Sequence, residues 1–288
     1  MLIDKALKLF RLILGSLNLY SRSIRSLNKF KIKRLPRKRK ITFVVYQSAV
    51  WKSDGIYQYL QSLDELDVSI TILPIYEKGA FLKEEFDQTT SFFKEKGYAI
   101  NNIDLELPLL KSIRSFNKID TVIFSDCWNL AHSSLYYYLL LFKVCCYIPY
   151  SHQVSKYGDY QAQYNQLLHN LVITIYAPHK YEFEIFHNFS DIKDQNVKLL
   201  GYPGVTKYIK AYDDPTIAKK LFPNDPWESF PNKSLKRVIW APHHSINWTK
   251  RRYSNFLEMY DFMLKIADVF YDQINFVLKP HPMLKQVL

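Results

Sequence analysis

Acid is almost missing from the first forty residues. Asp4 stands alone there against thirteen lysines and arginines, so this stretch carries the whole +12 of a chain with 39 basic and 27 acidic residues. The remaining body is neutral and offers nucleic acid no second basic surface. Cysteine is scarce too. Cys127, Cys145 and Cys146 show neither zinc-ligand spacing nor a disulfide framework, and buried reduced thiols of a cytoplasmic protein are expected. No apolar run is free enough of charge to span a membrane, and none is followed by the small-residue cleavage site of a secretory signal. There is no Asp-x-Asp pair, no internal repeat and no low-complexity tract. Glycine is rare, 7 against 22 tyrosines and 19 phenylalanines, a bias that says little about mechanism.

What is present at the amino end is a basic amphipathic pattern. In MLIDKALKLFRLILGSLNLY, leucines and isoleucines form a broad apolar face, with Lys5, Lys8 and Arg11 at helical spacing. A polybasic RLPRKRK follows. The pattern predicts a leader over residues 1–40 that binds an anionic membrane surface, each basic group contributing ~1 kcal/mol. A helix docked on the body by its apolar face is the plainer alternative.

Beyond the leader, 48% hydrophobic and 16% aromatic residues supply ample core. Continuous apolar runs start near 40, 68, 119, 144, 173 and 197 and alternate with helical stretches. That alternation predicts a parallel sheet covered on both faces, a Rossmann-like domain over residues 41–206. Residues 207–235, proline-rich and polar, read as a linker. At 236 the pattern restarts as strand, helix and strand. The 53 residues from 236 to 288 suffice for one such unit, so the chain is expected to end inside its second domain, and little transfer is expected of it alone.

Two motifs stand out. VIWAPHHSI (238–246) and FVLKPHPML (276–284) each run an apolar strand into a proline-flanked histidine. Ligands of parallel sheets sit beyond the carboxyl ends of strands, so His243, His244 and His281 are candidate donors to one anionic ligand. With Lys279 and Ser245 they suit a pyrophosphate or a phosphoryl group in transfer. Metal binding is not expected: neighbouring side chains usually diverge, and no carboxylate stands near to complete a site. For the same reason only one of His243 and His244 is expected to face the crevice. In the first domain, Asp126 follows a strand end and His132 lies just beyond it. Both are candidates for an acceptor cleft, with helix capping the alternative for Asp126. His169, His179 and His187 read as structural.

KLLGYPG, then VIWAPHHSI, then FVLKPHPMLK, in that order and spacing, resemble the CDP-glycerol glycerophosphotransferase family. The likeness runs from about Ile41 to the end of the chain. It implies an α/β fold of the GT-B type, with an N-terminal Rossmann-like domain on the acceptor side and a second one for the donor. It implies transfer of glycerol phosphate, or a related polyol phosphate, from a CDP-activated donor to a lipid-linked glycan or teichoic acid acceptor. The setting would be the cytoplasmic face of a bacterial plasma membrane, with no cofactor or metal. By position, His281 with Pro282 matches the pair that approaches the donor phosphates, and His243 with His244 the loop after the first donor-domain strand. Gly201, Tyr202 and Pro203 match a structural motif that closes the first domain. Where the family carries a catalytic His-Gly pair, this chain reads Tyr150-Ser151-His152, which makes His152 the candidate base, one step displaced. A nucleotide-sugar glycosyltransferase on the same architecture and a non-catalytic truncated product are the competing readings.

Overall fold

The computed structural model describes residues 19–77, 80–101, 113–128, 133–152, 160–221, 223, 225–246, 254–281, 284 and 288. The first eighteen residues of the leader, His132 and Pro282 lie outside them. The chain divides into two compact units, Met1–Thr206 and Lys207–Leu288.

The first unit is built on seven strands: β1 (Arg39–Val45), β2 (Leu66–Ile72), β5 (Ile100–Asn101), β6 (Thr121–Phe124), β7 (Val144–Tyr147), β8 (Thr174–Ala177) and β9 (Val197–Leu199). They lie in the order β5-β2-β1-β6-β7-β8-β9, and every pairing is parallel. A small antiparallel pair, β3 (Tyr76–Glu77) and β4 (Ala80–Phe81), stands apart from the sheet. Strand order reverses between β1 and β6, which creates a crevice at their carboxyl ends.

Apolar runs without polar alternation serve both faces. Val44, Tyr46, Val122, Phe124, Cys145 and Tyr147 enter one core, while Phe43, Val45, Ile123, Cys146 and Ile148 enter the other. The period of two along each strand sorts them. The second core is closed by α2 (Asp54–Gln61) and α3 (Lys83–Glu95) through Tyr57 and Phe93. Gly97, at φ 69° just past α3, supplies the left-handed residue that ends it. The first core is covered by α4 (Ser133–Phe142), α5 (Tyr160–Tyr164), α6 (Leu167–Leu171) and α7 (Lys180–Phe189).

The second half of the expected leader belongs to this body. Residues 19–33 form α1 (Leu19–Lys33), whose Ile24 is buried in the first core. The Lys31 ammonium donates to the carbonyls of Leu140 (2.8 Å) and Lys143 (3.1 Å) at the end of α4, carbonyls that a helix terminus leaves unpaired. Burial lowers its pKa. Arg39 and Lys40 already belong to β1. Around them Arg25, Lys29, Lys33, Arg34, Arg37 and Lys38 stay exposed, as do Phe30 (57%) and Ile32 (46%).

In the second unit, the stretch expected as a linker is folded: α8 (Thr206–Asp213) and α9 (Pro215–Leu221) occupy much of it. Its prolines were read as breakers, yet Pro215 opens α9, a position where the missing N–H costs nothing. Then come β10 (Lys236–Trp240), α10 (Phe256–Val269) and β11 (Ile274–Leu278), the two strands paired in parallel from Lys236↔Ile274 to Trp240↔Leu278. Ile246, Phe256 and Leu284 form its small core, with Trp240 stacked on Phe256 at 5.2 Å. Leu257, Phe262, Leu264 and Val269 of α10 are exposed.

Candidate functional site

Pairing of β10 with β11 continues past the strands and brings the histidines together. The Lys279 amide donates to the Trp240 carbonyl (2.8 Å), and the His281 amide donates to that of Pro242 (3.0 Å). Each proline stops its strand without releasing the backbone. On the other loop, Ile246 sits in the small core and its amide donates to the His244 carbonyl at 2.8 Å, folding the chain back at Ser245.

Three imidazoles therefore converge. Ring centroids are 4.1 Å apart for His243 and His244, 4.3 Å for His244 and His281, and 5.2 Å for His243 and His281. All three are half-buried. The expectation that His243 and His244 diverge is corrected here: it holds for extended strands, and the tight fold at Ser245 rotates both rings to one side. One ring nitrogen from each lies within 4.8 Å of the others, so the trio could hold a metal ion.

Ser245 does not line an open surface. It is wholly buried, with its hydroxyl 2.8 Å from Nδ1 of His243 and its amide donating to the same nitrogen at 3.2 Å. An Nδ1 that accepts from the amide leaves the proton of the neutral ring on Nε2. His243 then presents an N–H donor, the form an anion needs. Burial lowers the pKa of His243. It lowers that of His244 to about 4, helped by His243 and His281. For His281 burial again leads, followed by His243 and the nearby Lys279 charge. Burial thus favours the neutral rings, and an arriving phosphate would raise these values by favouring the charged forms.

The first unit carries a second polar site at the carboxyl ends of β6, β7 and β8. A cavity of about 190 Å³ is lined by Trp128, Tyr150, His152, Tyr164, His169 and Glu182, among others. His152 is exposed, its ring 4.8 Å from that of Tyr202 and 5.9 Å from that of His179. His179 caps α7 by accepting from the Glu182 amide. The Tyr202 hydroxyl donates to the Tyr150 carbonyl at 2.6 Å, and a Cβ on Gly204 would meet the Tyr202 ring at 2.5 Å, so a larger residue there would displace that ring. Asp126 is buried behind this site, beside the lining residue Cys127. Its Oδ1 accepts from the Trp128 amide at 2.7 Å, and burial pushes its pKa up to about 6.

Of the sequence candidates, the structure gathers His243, His244 and His281 in the second unit, with Lys279 on the same strand exit. It places Ser245 behind them. His152 and Asp126 belong to the first unit. The sequence reading missed Glu182, Tyr164 and His169. They lie on short helices with no motif around them, and only their burial as polar groups marks them.

No family model matches the chain, and no curated protein does either. Solved structures do. The wall teichoic acid polymerase TagF matches with a TM-score of 0.51 and 9% identity, covering 100% of this chain and 67% of that one. A variant of the polymerase gives 0.52 and 10%, over 100% and 67%. The complex of S. aureus MnaA with UDP gives 0.51 and 15% identity, over 86% of this chain and 64% of that one. The chain thus spans about two thirds of their length. Identities this low establish the fold, α/β and GT-B-like.

Proposed function

We propose that this chain is a transferase that moves glycerol phosphate, or a related polyol phosphate, from a CDP-activated donor to a hydroxyl of a cell-surface glycan or teichoic acid acceptor. The observation that carries the reading is the convergence of His243, His244 and His281 at the carboxyl ends of β10 and β11. Three imidazole N–H donors with Lys279 beside them suit a diphosphate whose charge grows at the bridging oxygen during transfer. In the proposed step, the acceptor oxygen attacks the β-phosphorus. The bond from that phosphorus to the bridging oxygen breaks, CMP departs, and the acceptor proton passes to a base. His152 is the proposed base, exposed and set among Tyr202 and His179. A membrane-bound acceptor agrees with the exposed basic residues of α1 and the segment after it.

A nucleotide-sugar glycosyltransferase on the same architecture is the second reading, and MnaA, solved with UDP, shares the fold. Labelled transfer separates the two. With a form of the protein extended past Leu288 and bacterial membranes as acceptor source, glycerol-labelled CDP-glycerol is expected to give labelled polymer while sugar-labelled UDP-GlcNAc gives none. Incorporation of the sugar alone would sink the polyol-phosphate reading.

A further inference from the structure

We propose that the cavity of the first unit seats the terminal unit of the acceptor, and that this unit is an uncharged polyol or a single sugar ring without phosphate. The word acceptor rests on the transferase reading; the chemistry of the ligand comes from the walls.

The cavity runs from an exposed mouth to a buried floor. Trp128 (37% exposed) and His152 stand at the mouth, while Glu182 (2%) and His169 (1%) form part of the floor. Its volume of about 190 Å³ lies below the roughly 300–1,000 Å³ of drug-sized sites, which limits the ligand to one ring or a short polyol.

The floor offers both kinds of hydrogen-bonding partner. The Glu182 carboxyl accepts, already taking one bond from the Tyr164 hydroxyl at 3.3 Å. His169 donates: its Nδ1 accepts from the Gln166 amide at 3.1 Å, so the proton of the neutral ring is on Nε2. Burial keeps that ring neutral, with its pKa pushed down to about 3. A ligand hydroxyl gives one hydrogen and accepts others, so it can engage both groups. A phosphate dianion only accepts, and it would meet the Glu182 carboxyl directly. Among the described lining residues there is no lysine or arginine to compensate its desolvation. At the mouth, Trp128 and Tyr150 present aromatic bodies with polar tips, surfaces that suit the apolar face of a sugar or polyol.

Binding of simple probes to the 288-residue chain tests this without any donor. Methyl β-D-glucopyranoside and glycerol would be compared with glucose 6-phosphate and sn-glycerol 3-phosphate by saturation-transfer NMR. The neutral probes are expected to receive saturation and to bind at least tenfold more tightly than their phosphates. Glu182→Gln, Tyr164→Phe and Trp128→Ala are each expected to weaken them severalfold or more, with circular dichroism confirming the fold. Phosphates that bind as well, neutral probes that ignore all three substitutions, or no binding of either would overturn the proposal. Because no nucleotide is present, such a failure leaves the donor reading standing, and a failed transfer assay leaves this site standing.

Discussion

His243 and His244 are neighbours in sequence, and neighbouring side chains on an extended strand point to opposite faces. In the loop after β10 they share a side instead, because Ser245 and Ile246 are buried and turn the backbone. The strand ends, and hence the meeting of His281 with this loop, were legible from two apolar runs that end in proline. The rotation of the rings was not, since it depends on contacts of Ile246 with Phe256 and Leu284 that no local pattern announces. The same holds for Glu182 and His169, which are brought to one cavity only by the order of β7 and β8 in the sheet. The convergence changes what substitution should do. His281→Ala is expected to lower turnover by about 10²- to 10³-fold, the usual loss for one donor to a developing charge. His243→Ala and His244→Ala are now both expected to cost activity, and Ser245→Ala about 3- to 10-fold through a looser His243. Steady-state rates of transfer by the form extended past Leu288 check all four. A His244→Ala enzyme with full turnover would remove that ring from the site.

At the scale of elements, most strands and helices stood where hydrophobic periodicity put them, down to KYEFEIFHNF as a complete helix, Lys180–Phe189. Several did not, α8 and α9 of the expected linker among them. β5 has only two residues and no apolar run to reveal it. The residues of α1 looked like part of a free basic leader because charge count cannot show that one lysine points inward. Lys31 does so, since the end of α4 leaves carbonyls to be met. Replacing Lys31 with methionine keeps the stem but strands those carbonyls, at an expected cost of about 1–3 kcal/mol. Urea unfolding monitored by circular dichroism measures it. Unchanged stability would mean that α1 is held by Ile24 and its neighbours alone.

For the whole molecule, charge and fold point to separate tasks. Binding to phosphatidylglycerol vesicles is expected to weaken as salt rises through the range where the screening length falls below ~10 Å. Equal binding to neutral phosphatidylcholine vesicles would count against an electrostatic contact by the basic residues around α1. The central claim, that three histidines of the second unit receive the donor's phosphates, is tested most directly by the imidazole resonances themselves. Histidine-labelled protein would be titrated with CDP-glycerol and then with acid, and the pKa of each ring read with and without nucleotide. The account expects the rings of His243, His244 and His281 to shift together and saturate with one affinity. Their pKa values should rise from the values that burial lowers, because a bound phosphate favours the protonated forms. CDP-glycerol that binds while these three rings keep their positions and their pKa values would contradict it.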